Sequence, residues 1–203
     1  MTREKRATKR WDKVQMTDTS SGISRRRLLR AFAATAITAA PTFSNAASFL
    51  RGAGDIRRVK MFSGRTGEKI DIVYWIEGDY IREAMTEISK FMRDFRSGQV
   101  MAIDNRTVDI IAATHALLDV TEPYNLLSGY RTPQTNAMLR ESSSKVAVNS
   151  LHMRGQAADL RLSSRSVRQV VAAATSCSVG GVGKYTRSNF THMDCGDVRT
   201  WGS

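Results

Sequence analysis

The sequence predicts an α+β domain, a small antiparallel sheet with helices packed on it. Three observations lead there. Apolar and polar residues alternate on both sides of a turn from Gly64 to Gly67, and two later stretches carry apolar residues at helical spacing. Strands and helices also fail to alternate in the βαβ order that a parallel sheet would require.

Ahead of the fold, residues 1–46 read as an export signal rather than as structure. "SRRRLLRAFAATAITAAPTFSNA" begins at Ser24 with Arg25 and Arg26, passes through Leu28 and Leu29, and continues as an Ala/Thr-rich stretch from Ala31 to Ala40. That stretch is too short and too weakly apolar to span a bilayer stably, so no stable membrane insertion is expected after cleavage. Ser44 and Ala46 place small residues where a signal peptidase reads, which puts the cut after Ala46 and leaves 47–203 as the mature chain. Paired arginines with low hydrophobicity resemble a twin-arginine signal, which implies a bacterial protein handed folded to the twin-arginine export machinery and released into the periplasm. A disordered basic arm or an uncleaved anchor is the competing reading of the same residues.

The mature chain opens with "DIRRVKMFSGRTGEKIDIVYWIEGDYI", a β-hairpin by its alternation. From Ile81 to Phe95 the residues Ile81, Met85, Ile88, Phe91, Met92 and Phe95 recur at helical spacing, so one helix face meets the core. Asp104 precedes a second helix, Thr107 to Leu118, whose Val108, Ile111, Leu117 and Leu118 repeat the pattern. His115 lies inside it with only Asp119 at metal-ligand spacing, and is read as a packed or surface histidine. "YNLLSGYRTP" is a short strand, a break at Gly129, and then Arg131 ahead of a helix that Pro133 initiates. "SSRSVRQVVAAATS" is a further helix with Ser163 or Ser164 as its cap. "VGGVGKY" and "FTHMDCG" are expected as two final strands.

The formal charge of +12 would suit a nucleic acid or an anionic membrane, so its position matters. Residues 1–46 hold ten Lys/Arg against three Asp/Glu, a net of +7 that leaves +5 for the remainder. The excess thus lies in the cleavable segment, no nucleic-acid motif accompanies it, and no nucleic-acid partner is expected. Cys177 and Cys195 both fall in the mature part. A disulfide between them is permitted outside the cytoplasm, but one pair is no framework, and free thiols remain the other reading.

Of three histidines in the chain, His152 and His192 stand near acidic residues at strand spacing. In "QAADLRL" a period of two puts Ala157, Asp159 and Arg161 on one face and Ala158, Leu160 and Leu162 on the other, so the carboxylate of Asp159 leaves the apolar face. In "NFTHMDCG" the same period puts His192 and Asp194 together. Two imidazoles and a carboxylate are a recurrent three-ligand set for catalytic zinc, because the fourth position stays open for water. Water attacking a carbonyl needs a base, for which Asp194 is the candidate, and a cation to steady the oxyanion or hold a substrate carboxylate, for which Arg131 is. Ser150, two residues before His152, is a candidate to hydrogen-bond a ligand from outside the set.

"SLHMRGQAAD", Ser150 to Asp159, resembles the S-x-H-x-x-G-x-A-x-D signature of the zinc D-Ala-D-Ala peptidases, whose fold is shared with lysostaphin-type peptidases and the hedgehog signalling domain. With "YWIEGDY", "SGYRTPQTNAMLR", "NSLHMRGQAADLRL" and "GGVGKYTRSNFTHMDCGDVRTW" in order, the chain from Val59 to Trp201 is similar to the YcbK (MepK) branch of that group, bacterial periplasmic murein endopeptidases. The resemblance implies that 47–203 is a zinc peptidase domain with one Zn2+ held by His152, Asp159 and His192. It implies Gly155 and Ala157 as places of close backbone approach, and Arg131 as a substrate or transition-state contact. The implied reaction is hydrolysis of peptide crosslinks between peptidoglycan stem peptides, 3-3 links between diaminopimelate residues among them. One position departs from the dipeptidases: their catalytic Glu, three residues before the last zinc histidine, is here Asn189. The branch carries H-x-D instead, which leaves Asp194 either as base or as a residue that only orients His192. The competing reading, from another class, is a catalytically weak zinc-dependent cell-wall-binding module, which Asn189 supports.

Overall fold

The structure, a computed structural model, describes residues 56–202. The export-signal reading of residues 1–46 lies outside them. A hairpin opens the domain: β1 (Ile56–Phe62) and β2 (Lys69–Ile76) pair antiparallel, and β2 turns at Glu77 and Gly78 into the two-residue β3 (Asp79–Tyr80). Two helices follow, α1 (Arg82–Phe91) and α2 (Asn105–Leu117), then β4 (Tyr124–Ser128) and α3 (Pro133–Ser142). A 3-10 turn over Leu151–Arg154 leads into β5 (Ala157–Arg161), α4 (Val167–Ser176), β6 (Gly181–Tyr185), β7 (Phe190–Asp194) and β8 (Arg199–Gly202). The eight strands form one sheet in the order β3-β2-β1-β4-β5-β7-β6-β8. The α+β class stands, with a refinement: the sheet is antiparallel except where β4 joins β1 and β8 joins β6 in parallel.

Helices α2, α3 and α4 start where a side chain supplies an acceptor for a free N–H group, whereas α1, preceded by Ile81, has no side-chain cap. Asp104 caps α2 by accepting from Arg106 N, and Thr132 caps α3 by accepting from Thr135 N with Pro133 in the first turn. The cap of α4 differs from the expectation of Ser163 or Ser164. It is Ser166, whose hydroxyl accepts from Gln169 N while the Gln169 side chain accepts from Ser166 N. Ser164 is drawn away by Glu122, whose carboxylate accepts from both its backbone N and its hydroxyl. The first helix also stops at Phe91, four residues short of the apolar stripe, because the carbonyls of Lys90 and Ile88 are closed there by Arg93 and Met92 N–H groups.

One apolar core joins the sheet to α1, α2 and α4. Val59, Met61, Leu160, Val182 and Met193 from the strands meet Ile88, Met92, Val108, Ile111, Val170 and Ala174 from the helices, all buried. Because side chains alternate along a strand, the residues next to these core positions point to the opposite face of the sheet. That face carries the candidate site. Among the described residues no helix is long and apolar enough to cross a membrane.

Candidate metal centre

Register alone brings the acidic and imidazole groups together. Ser128 on β4 lies opposite Asp159 on β5, and Asp159 opposite His192 on β7, so three strands place one row of side chains across the face away from the core. His152 arrives from outside the sheet. Its 3-10 turn is stopped by Gly155, which adopts φ 67° and packs so closely on Ala102 that a Cβ there would collide with the Ala102 carbonyl. The Gly155 carbonyl accepts from Asp104 N at 2.9 Å, and the His152 carbonyl accepts from Arg131 N at 3.1 Å, so the turn is pinned over the row.

His152 Nδ1 donates to the Gly129 carbonyl at 2.6 Å, which selects the tautomer whose Nε2 lone pair faces inward. That Nε2 lies 3.3 Å from Asp159 Oδ1 and 3.2 Å from His192 Nδ1, and the last two atoms are 2.9 Å apart. Three atoms of a tetrahedral zinc shell, at bond lengths of about 2.0–2.2 Å, stand about 3.3 Å from one another. The triangle therefore has the size and the donor chemistry for such an ion, and it is the His/Cys/Asp/Glu group of that geometry among the described residues.

Electrostatics point the same way. Burial opposes ionisation of Asp159, but the closeness of His152, Arg131 and His192 holds its carboxyl well below the usual carboxylate range. His192 is pushed down by burial and pushed up more strongly by its hydrogen bonds to Asp159 and Asp194, with a net rise. His152, fully buried, is lowered by that burial. The metal-free triangle thus stabilises a positive charge at its centre, the charge that a bound cation would supply on displacing a proton.

Arg131 sits where the sequence places it, beyond the end of β4, and its two ends are both engaged. Its Nε donates to Ser128 Oγ at 2.7 Å and its Nη2 to Asp159 Oδ2. The carboxylate is thereby divided: Oδ2 belongs to Arg131, and Oδ1 faces the histidines.

Asp194, expected either as base or as a residue that orients His192, lies behind that ring. It is fully buried, and both oxygens are occupied: Oδ1 accepts from Gly181 N, Gly196 N and Arg199 Nη1, and Oδ2 from His192 Nε2 at 2.9 Å and Arg199 Nη2 at 2.8 Å. Burial raises its pKa, yet the bonds from His192 and Arg199 lower it to about 2. The carboxylate is placed to orient His192. Asn189, at the position of the dipeptidase glutamate, lies in the β6–β7 turn with φ 52°, and its carbonyl accepts from Arg161 Nε.

Ser150 stands at the start of the 3-10 turn. Its carbonyl accepts from Met153 N at 3.0 Å to begin the turn, and its side chain makes no capping bond. His115 is structural, as its spacing suggests: Nε2 bonds the Glu122 carbonyl at 2.7 Å and the ring packs edge-on to Tyr124. Cys177 and Cys195 are free thiols. Sequence reasoning did not single out Arg199 or Trp201, although "VRTW" has the two-residue period that puts both on one strand face. The ring of Trp201 lies 5.2 Å from that of His192.

Residues 51–201 match the peptidase family model described as Peptidoglycan L,D-endopeptidase MepK. The chain is 38% identical over 136 residues to the peptidoglycan L,D-endopeptidase MepK of Escherichia coli (strain K12) and, to the same extent, to that of Shigella flexneri, spanning 67% of this chain and 75% of each relative. A probable peptidoglycan L,D-endopeptidase MepK of Haemophilus influenzae is 34% identical over 137 residues, 67% of this chain and 74% of that protein.

Proposed function

Because this chain belongs to the peptidoglycan L,D-endopeptidase MepK family of peptidases, we propose that it is a zinc-dependent murein endopeptidase, hydrolysing peptide crosslinks between peptidoglycan stem peptides in the periplasm. The observation that carries this reading is the triangle of His152 Nε2, Asp159 Oδ1 and His192 Nδ1, with edges of 2.9–3.3 Å. Zinc held by His152, Asp159 and His192 would supply Lewis acidity toward a peptide carbonyl and a water. The remaining work falls to the chain. Gly129 and Asp194 fix the two rings by accepting their outer N–H groups, and Arg131 keeps Asp159 to a single inward oxygen. Arg131 has five N–H donors in a rigid fork, of which Nε and one Nη2 hydrogen are engaged. The others are available to a developing oxyanion or to a stem-peptide carboxylate. Export is supported by Arg25 and Arg26 ahead of the Ala-rich stretch and by the small residues before residue 47, which suit a twin-arginine signal and a wall substrate.

A zinc-dependent wall-binding module with weak catalysis is the second reading, favoured by Asn189 in place of a glutamate and by the filled lone pairs of Asp194. One experiment separates the two. Purified sacculi and defined crosslinked muropeptides are digested with the protein, with and without a chelator and with zinc restored. Stem-peptide products that vanish with chelator and return with zinc are expected, their masses identifying the bond cut. Zinc-loaded, folded protein that binds sacculi and releases nothing would establish the module instead.

A further inference from the structure

Two positions of β6 that face the site carry no side chain. Gly181 pairs with Asp194 on β7 and with Arg199 on β8, and Gly183 pairs with His192 on β7 and with Trp201 on β8. Neighbouring strands lie about 4.8 Å apart, so β8 stands about 9.6 Å from β7, with β6 between them. Side chains at 181 and 183 would fill that interval. Their absence lets the β8 side chains lie across β6 and touch β7.

The fit over both glycines is close. A Cβ at 183 would come within 2.8 Å of two Trp201 ring atoms, and a Cβ at 181 would overlap Arg199 Nη1 and lie 2.6 Å from Asp194 Oδ2. Through this gap Arg199 reaches Asp194 with both terminal nitrogens, at 3.1 and 2.8 Å, and the Trp201 ring reaches that of His192. Trp201 is itself held: its Nε1 donates to Tyr185 Oη at 3.0 Å, Tyr185 stacks on Phe190 at 4.4 Å, and the Arg199 guanidinium lies 4.8 Å from the indole centre.

We propose that Arg199 and Trp201 are positioning residues which, admitted by Gly181 and Gly183, hold His192 with Nδ1 turned toward Asp159 and His152. The imidazole can be lost from that pose in two ways. It can turn about its Cβ–Cγ bond, which the indole opposes by packing on it, or it can lose its Nε2–H acceptor, which Arg199 prevents by clamping Asp194 from the far side. β8 is thereby a clamp on one ligand of the centre. The inference rests on the reading of His152, Asp159 and His192 as metal ligands and adds the residues that keep one of them in register.

The test uses the full chain and zinc itself. Zinc affinity is measured by competition with a chromophoric chelator for the wild type, Trp201→Ala, Trp201→Phe, Gly183→Ala, Arg199→Ala and Arg199→Lys. Metal-free melting temperature and the 15N shifts of His192 are recorded alongside. The alanine variants at 183, 199 and 201 are expected to bind zinc about 10- to 100-fold more weakly, and to show His192 without its single Nε2–H tautomer. Trp201→Phe, which keeps a ring over Gly183, is expected to restore most of the affinity. Wild-type affinity and an unchanged His192 spectrum in Trp201→Ala and Arg199→Ala would overturn the clamp while leaving the metal site standing. Failure of the wild type to take up zinc would overturn the metal reading and the clamp with it. Should Trp201→Ala not fold, Gly183→Ala, which retains the indole but displaces it, decides by the same two readouts.

Discussion

His192 Nε2 lies 2.9 Å from Asp194 Oδ2, on the side of the ring away from His152 and Asp159. The contact places Asp194 of the H-x-D pattern where it can support the ring. Its consequence is that the imidazole presents Nδ1, not Nε2, to the other two ligand atoms.

Replacement of Asp194 by Asn separates the two roles the sequence left open. The amide would present a donor where His192 Nε2–H needs an acceptor, so the ring loses its tautomer. Zinc affinity is expected to fall about 10- to 100-fold, with activity recovering as free zinc is raised. A residue serving as general base would show the opposite result, zinc bound as in the wild type and kcat lost at every zinc concentration.

His192→Ala and Asp159→Ala remove a proposed ligand atom outright. In the wild type, free zinc at 100 times its Kd is expected to stabilise the fold by about 2.7 kcal/mol. Thermal melts with and without zinc should show that stabilisation in the wild type and its loss in both variants, together with loss of peptidoglycan hydrolysis.

Arg131→Ala is expected to retain zinc, because Asp159 Oδ1 still faces the two histidines, and to lower kcat/KM on crosslinked muropeptides by about 100-fold through loss of a positioned donor. Arg131→Lys should recover little. A single ammonium cannot bridge Ser128 and Asp159 as the guanidinium does through Nε and Nη2. Steady-state kinetics beside zinc stoichiometry check both statements.

Asp94 anchors the loop that carries Arg131. Buried, it accepts from Thr132 N and Thr132 Oγ1 at 2.9 Å each and from Arg96 N at 3.0 Å. Burial raises its pKa, but hydrogen bonds from Thr135, Thr132 and Arg96 lower it to about 2. A folded-state pKa below the unfolded value of about 3.9 stabilises the fold at pH above 4, by about 2–3 kcal/mol. That stabilisation is lost as pH falls from about 4 towards 2. Asp94→Asn is accordingly expected to melt lower than the wild type at pH 7, with the gap narrowing below pH 4, as measured by denaturation across that range.

Much of the centre was legible because it is written in short-range pattern. A period of two in "QAADLRL" and "NFTHMDCG" is enough to say that Asp159 leaves the apolar face and that His192 and Asp194 share one, and the register confirms both. The helix cap at Ser166 was misplaced by two or three positions because three serines precede α4, and the choice among them depends on Glu122, a residue 42 positions from Ser164. β8 was missed for a related reason. Four residues from Arg199 to Gly202 carry too little alternation to announce a strand, and this one exists through its parallel pairing with β6.

The sequence by itself determined the candidate ligand types, the face each occupies on its own strand, and the family, since these depend on residue identity and on spacing within a few positions. Only the tertiary structure decided which nitrogen of His192 faces inward, that Asp194 is buried behind that ring, and that Arg199 and Trp201 reach the centre across two glycines. Those outcomes depend on strand order and on the space between side chains far apart in the chain. Local periodicity says which way a residue points and is silent about what stands opposite it.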